Sequence, residues 1–227
     1  MVATTNPPTR QGFRDELEQL RLQVELMGVR VDENLTRMGQ VLRSADAGLV
    51  EPALLADDEI DAMNVSLTER CYELLTLESP VASDLRFVVS VLRITGELER
   101  VGDLSLRVIK LADEVPLLRT SGSIWETLLS LVAEAVEQYR TALAAWSAQD
   151  LERATALATR QRTLDHHYER LVDELQHYPG PDAARIAIGI MGAGRAADRI
   201  ADHAAIIGAR LRYLITGEPA HLAAEVR

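Results

Sequence analysis

The 227-residue chain is poor in several residue types, and each shortage excludes a class of protein. Its one cysteine, Cys71, cannot form a disulfide within the chain, so the sequence fits a reducing compartment, and a buried role is expected for this thiol. No apolar run approaches the roughly 18 residues of a membrane span, and residues 1–14 lack the hydrophobic stretch of a signal peptide. We therefore expect a cytoplasmic protein that reaches a membrane only peripherally, through partners.

Aromatic residues make up only 4% of the chain and prolines number 8, which together with abundant alanine, leucine, arginine and glutamate is typical of a helical protein. Basic residues are also scarce: 24 Lys and Arg stand against 35 Asp and Glu, for a net charge of -11. Nucleic-acid binding depends on clustered basic side chains, so the charge argues against a nucleic-acid partner, although it leaves room for a local basic patch.

Apolar residues recur at alternating steps of three and four, which predicts long helices. The first helix runs from Phe13 to about Leu42 and the second from about Glu51 to Leu77. Ser79-Pro80 has the form of an N-cap followed by proline at the first helical position, which predicts a third helix reaching about Asp113.

Two acidic motifs organise the chain: Glu99-Arg100-Val101-Gly102-Asp103 and Asp198-Arg199-Ile200-Ala201-Asp202. Each places two carboxylates four residues apart, hence on one helix face, where they repel each other. The motifs are 99 residues apart, and the same shift aligns Pro80 with Pro179 and Arg86 with Arg185. This register indicates an internal duplication.

The second half repeats the first half helix by helix. Ser123-Ile124-Trp125-Glu126 has the capping-box pattern and opens a fourth helix, whose apolar positions match those of the first helix at a constant shift of 111 residues. A fifth helix is expected from about Asp150 to His177, and it aligns with the second at a shift of 104. A sixth helix is expected from residues 181–183 to about Thr216.

The sequence therefore predicts an all-α fold of two tandem up-down-up three-helix bundles related by an internal repeat. The predicted organisation is a disordered tail at 1–12, a first repeat at 13–115, a linker at 116–122, a second repeat at 123–217 and a tail at 218–227.

The acidic motifs allow two interpretations. Carboxylate oxygens suit cations such as Mg, Mn, Fe or Zn, and two helices carrying such pairs could supply four ligands, Glu99, Asp103, Asp198 and Asp202. Alternatively, Arg100 and Arg199 neutralise their neighbours in surface ion pairs of little energetic value.

Other chemistry finds little support in the sequence. A di-iron bundle needs Glu-x-x-His motifs in its core, whereas Glu174-x-x-His177 lies at a helix end and Glu218-x-x-His221 in the tail. His203 is expected to be a solvated or packing histidine. The stretch from Gly192 to Ala197 has the glycine spacing of a dinucleotide-binding motif, but that motif follows a β-strand and no strand is expected before Gly192. No nucleophile and base are paired, so a non-enzyme is expected.

The motifs together resemble the signatures of the PhoU family of bacterial phosphate-transport regulators. The resemblance rests on Ser79 to Arg86 with Leu98 to Asp103 in the first repeat, and on Asp198 to His203 with Tyr213 to Glu218 in the second. It covers the chain from about Phe13 to Glu218.

The resemblance implies a negative regulator of the phosphate-starvation response and of phosphate uptake, coupling a phosphate ABC transporter ATPase to a sensor histidine kinase, and a homodimer. It also implies metal binding by Glu99, Asp103, Asp198 and Asp202. Two departures argue against a full multinuclear cluster: Asn64 replaces a usual acidic residue, and Arg160 to Arg162 form a basic stretch. The alternatives are a metal-storing or metal-dependent catalytic carboxylate bundle, and a regulator of another phosphate transporter, such as a sodium-phosphate cotransporter.

Overall fold

Two sets of three long helices follow one another along the chain, as the internal repeat predicts. The structure, a computed structural model, describes the backbone of residues 10–225 and the side chains of residues 11–158, 164 and 166–223. Within these residues there is no β-strand. The helices of the first repeat are α1 (Arg10–Ser44), α2 (Val50–Leu77) and α3 (Ala82–Ile109). A short helix, α4 (Val115–Leu118), precedes α5 (Ser123–Ala148), α6 (Leu151–Gln176) and α7 (Ala183–Thr216) of the second repeat.

The buried face of α1 consists of the apolar residues that recur along the sequence at steps of three and four. Its side chains are almost fully buried, and they include Leu20, Val24, Met27, Val31, Leu35, Met38 and Leu42. Spacings of three and four residues keep them on one face of the helix, where they join the core. Cys71 of α2 is buried as expected, and burial raises the pKa of its thiol to about 12.

Within the first repeat, neighbouring helices run antiparallel. The Nδ2 of Asn34 on α1 donates to the carbonyl oxygen of Ala53 near the start of α2, and Arg70 near the end of α2 pairs with Glu16 near the start of α1. In each repeat the middle helix packs against the other two: α2 against α1 and α3, and α6 against α5 and α7. The two repeats meet through α3 with α7 and α1 with α5.

Three local predictions need correction. The third helix begins at Ala82, with Val81 in extended conformation as its N-cap, because the chain turns through a positive φ of 45° at Ser79 before entering the helix. Ser123 is the first residue of α5 rather than its N-cap, and Gly122, at a φ of 61°, occupies the cap position. The predicted linker, 116–122, includes all of α4 except its first residue, and both Val115 and Leu118 of this helix are buried.

The ends of the chain also differ in part from the tail predictions. Helix α1 begins at Arg10, inside the segment expected to be a tail, whereas residues 1–9 lie outside the described part. Pro219–Glu225 forms a 3-10 helix that packs against α7.

Arg119, which follows α4, bonds to the end of α1. Its Nη2 donates to the carbonyl oxygen of Leu42 and so satisfies an acceptor in the last turn of that helix.

Candidate functional site

Four carboxylates gather where α2 packs against α3 in the first repeat. Asp57 and Asp61 come from α2, and Glu99 and Asp103 come from α3. The helices approach closely at Gly102, where an added Cβ would lie 3.3 Å from the Oδ1 of Asp57. The glycine therefore leaves the space that the Asp57 carboxylate occupies against α3.

Burial and the neighbouring charges raise the pKa values of Asp57, Asp61 and Glu99. Burial, followed by the charges of Asp103 and Asp61, raises the pKa of Asp57 from 3.8 to about 6, and Lys110 opposes the shift. Burial and then the charge of Asp103 also raise the pKa of Asp61 and of Glu99. The part of each shift that follows burial is repulsion between the ionised carboxylates, so a cation bound among these groups would be stabilised by their charges.

The cluster is electrostatically suited to a cation but is not arranged as a closed ligand set. Among the side chains that the structure describes, no three from His, Cys, Asp and Glu converge in a geometry that could hold one metal ion. Asp61 is exposed and Asp57, Glu99 and Asp103 are partly exposed, so each has room to change rotamer. Binding would therefore require the carboxylates to turn toward the ion.

The second acidic pair has a different environment. Asp198 is buried and accepts a hydrogen bond of 2.8 Å from the Nη1 of Arg195, one turn earlier on α7. Asp202 accepts one of the same length from the Nη1 of Arg199. Arg195 also lies over the ring of Tyr168, 5.9 Å from its centroid. Both aspartates therefore have a cationic partner on their own helix; Arg199 is the partner that the ion-pair interpretation names, whereas Arg195 is not.

The structure places the four predicted ligands as one pair on α3 and one pair on α7. Glu99 and Asp103 share their surroundings with Asp57 and Asp61, which the sequence analysis did not single out. The signal was available, because Asp57 and Asp61 have the same spacing of four residues as the two motifs. The counterpart stretch in the second half, around Arg160 to Arg162, is basic. The side chains of that stretch lie outside the described part.

His203 of α7 lies where the second repeat packs against the first. Its side chain is buried, and its Nδ1 lies 2.6 Å from the Oε2 of Glu97 on α3. The expectation of a packing histidine is confirmed and that of a solvated one is wrong, because α3 covers this face of α7. A second contact joins the same two helices: Arg86 near the start of α3 packs against Gly217 at the end of α7. The two helices therefore run antiparallel where they cross.

None of the helices in residues 10–225 is both apolar enough and long enough to cross a lipid bilayer. This agrees with the hydropathy of the sequence.

Comparison with known proteins places both repeats in one family. Residues 24–112 and 128–211 each match the PhoU domain. The chain is 30% identical over 209 residues to the phosphate-specific transport system accessory protein PhoU homolog of Pseudomonas aeruginosa, covering 91% of this chain and 86% of that protein.

Solved structures give the same result. The crystal structure of PhoU from Pseudomonas aeruginosa superimposes with a TM-score of 0.86 at 29% identity, covering 91% of this chain and all of that one. The phosphate transport system regulatory protein PhoU from Streptococcus pneumoniae gives a TM-score of 0.79 at 26% identity, covering 91% of this chain and 98% of that one.

Proposed function

Because this chain belongs to the PhoU family, we propose that it is a negative regulator of phosphate uptake and of the phosphate-starvation response. The observation that carries this proposal is the match of both repeats, in sequence and in structure, to proteins named as accessory or regulatory components of phosphate transport. A regulator of phosphate transport is the function that the family gives. An experiment is needed to test whether the protein lowers phosphate uptake, as a negative regulator would.

We further propose that the protein acts in the cytoplasm as a non-enzymatic adaptor between a phosphate ABC transporter ATPase and a sensor histidine kinase. Support comes from the family and from the architecture, because two similar three-helix repeats offer two related surfaces to two partners. In this scheme the protein reaches the membrane through those partners.

A divalent cation at the first-repeat cluster is the second part of the proposal. Asp57, Asp61, Glu99 and Asp103 would hold it, because their oxygen donors suit Mg or Mn and also accept Fe or Zn. The cation would offset the repulsion that, after burial, raises the pKa values of Asp57, Asp61 and Glu99, and it would tie α2 to α3. Asp198 and Asp202 stay predicted ligands, but their ion pairs with Arg195 and Arg199 make the second pair the weaker site.

We also propose a homodimer, as the family resemblance implies. Leu22, Leu26 and Val29 form a line of apolar side chains on α1 that are about half exposed, at spacings of four and three residues. A second copy covering this line would remove it from water.

Deletion and complementation test the regulatory role. A strain lacking the gene is grown with ample phosphate, and phosphate uptake and phosphate-regulated expression are measured. We expect both to rise on deletion and to return to normal with the wild-type gene. Unchanged uptake and expression in the deletion strain would contradict negative regulation.

Cross-linking in the same strain tests the adaptor role separately. We expect the tagged protein to be recovered with the transporter ATPase and with the kinase. Recovery with only one of them would contradict the adaptor role while leaving the regulatory role in place.

A further inference from the structure

A groove with a volume of about 560 Å³ lies between α3 and α7, where the two repeats face each other. Its walls carry four arginines, two from each repeat. They are Arg100 and Arg107 on α3 and Arg195 and Arg199 on α7. The only acidic side chains among the described residues that line it are those of Asp103 and Glu114. The groove is therefore lined by more basic than acidic side chains, although two of the arginines, Arg195 and Arg199, are paired with Asp198 and Asp202.

Most of the hydrogen-bonding capacity of these arginines is open to a ligand. Arg100 and Arg107 are exposed and form no ion pair with any side chain in the described ranges. Arg195 and Arg199 each use one nitrogen, Nη1, to pair with an aspartate of their own helix. A guanidinium group has five N–H donors, so one such bond leaves the other donors of each group available.

The arginines of the two repeats are related by the duplication. Arg100 and Arg199 are counterparts at the shift of 99 residues. The antiparallel crossing of α3 and α7 places both of them on the same groove. A ligand there would be held from two sides by equivalent side chains.

The groove also has an apolar part. Leu104 on α3, Leu111 in the turn after α3 and Ile188 on α7 contribute to its lining, and Ile188 is 75% exposed. Gly192 leaves the groove open, because a Cβ at this position would meet no heavy atom within 4 Å. A volume of this size is in the range of small-molecule sites, which combine apolar walls with a few polar groups.

We propose that this groove binds a small molecule with two or more linked phosphate groups. Four guanidinium groups around one cleft favour a ligand that carries several negative charges close together. Each guanidinium group can pair with phosphate oxygens through two parallel hydrogen bonds. Glu114 would face the Mg²⁺ that accompanies such ligands. The phosphates belong either to a nucleotide, whose base lies on the apolar part of the groove, or to an inorganic polyphosphate.

The site is independent of the regulatory role proposed above, and direct binding tests it. Isothermal titration calorimetry on the full chain, with Mg²⁺ present throughout, uses ATP, inorganic tripolyphosphate and orthophosphate as separate probes. We expect ATP or tripolyphosphate to bind at least roughly tenfold more tightly than orthophosphate, which carries fewer charges. Tighter binding of ATP identifies a nucleotide site, and equal binding identifies a polyphosphate site.

Two matched pairs of variants locate the binding. Arg100→Gln combined with Arg107→Gln should weaken binding by roughly tenfold or more, because two charge-assisted contacts are lost. Arg93→Gln is the control, since this exposed arginine lies on α3 but not in the groove. Gly192→Leu should block the groove, and Gly96→Leu is its control, because a Cβ at Gly96 also meets nothing within 4 Å.

Three results would overturn the proposal. One is binding of both ATP and tripolyphosphate weaker than about 1 mM. Another is orthophosphate binding as tightly as the linked phosphates. The third is that the double arginine variant and Gly192→Leu each bind the ligand as tightly as their control variants do. Circular dichroism of each variant would show that a loss of binding is not a loss of fold.

Discussion

The hydroxyl of Tyr139 donates a hydrogen bond of 2.7 Å to the carbonyl oxygen of Gly28, and these two residues occupy the same position in their respective repeats. They are separated by the shift of 111 residues that aligns α5 with α1. Counterparts can touch only where a twofold relation between the repeats brings them together, so this contact marks the place where α1 and α5 cross. Tyr139 is fully buried there.

Removing this hydrogen bond should weaken the joint between the repeats. Tyr139→Phe keeps the ring and its packing but loses one buried hydrogen bond, so the free energy of unfolding should fall by about 1 kcal/mol. Urea unfolding followed by circular dichroism measures this change. Tyr72→Phe, at an exposed position on α2, is the control and should leave the free energy unchanged. Equal stability of the two variants would show that the contact contributes nothing.

Asp57 should make the protein less stable as the pH rises. Its pKa is raised to about 6 in the folded chain from 3.8, so between these values the folded state binds more protons than the unfolded state. The free energy of unfolding therefore decreases as pH increases from about 4 to about 6, and the decrease is complete above that range. Asp57 is partly exposed, so solvent screening limits the effect to on the order of 1 kcal/mol.

Asp57→Asn should accordingly be more stable than wild type at pH 7 without added metal, and its stability should depend less on pH. Unfolding by urea at pH 4.5 and pH 7 measures both effects. Glu69→Gln, at an exposed position further along α2, is the control. A variant less stable than wild type at pH 7 would contradict the repulsion inferred for the cluster.

Metal binding should depend on the first acidic pair more than on the second. Asp103→Ala combined with Asp202→Ala should keep the helical content near wild type and lower the amount of bound metal. Taken singly, Asp103→Asn should weaken Mn²⁺ binding by roughly tenfold, because it removes one charged oxygen ligand, and Asp202→Asn should have a smaller effect. Calorimetric titration of chelator-treated protein gives the affinities. Unchanged metal content in the double variant would rule out both pairs as ligands.

The dimer should depend on the apolar line of α1. Leu26→Glu places a charge in the middle of that line, so we expect the variant to be monomeric where the wild type is dimeric. Light scattering coupled to size-exclusion chromatography measures the mass. Leu55→Glu, at an exposed position of α2, is the control. A wild-type mass of about 25 kDa would exclude the dimer itself.

Helix periodicity predicted the long helices and their order, because each one buries a continuous apolar stripe. Local start signals were less dependable. Asp150 is the N-cap of α6 and accepts from the backbone N–H of Arg153, as residues of its type do. Ser79, however, has the same capping ability and is not a cap, because the turn before α3 places Val81 there.

The site was predictable only in part, because its decisive contacts join residues distant in sequence. The spacing of Glu99 and Asp103 shows that they share a helix face. It does not show that α2 brings Asp57 against that face, which depends on how closely the helices approach at Gly102. The pairing of Glu97 with His203 depends in the same way on the crossing of α3 and α7.

The contact between Gly28 and Tyr139 also carries information about ancestry. In an ancestor made of two identical single-repeat chains, this crossing would have placed the same residue on both sides of the symmetry axis. Two tyrosines would have collided there, and two glycines would have left a gap. Joining both repeats in one gene let the two sides diverge, so that Leu143 of α5 now occupies the space beside Gly28 while Tyr139 donates to the carbonyl oxygen of that glycine.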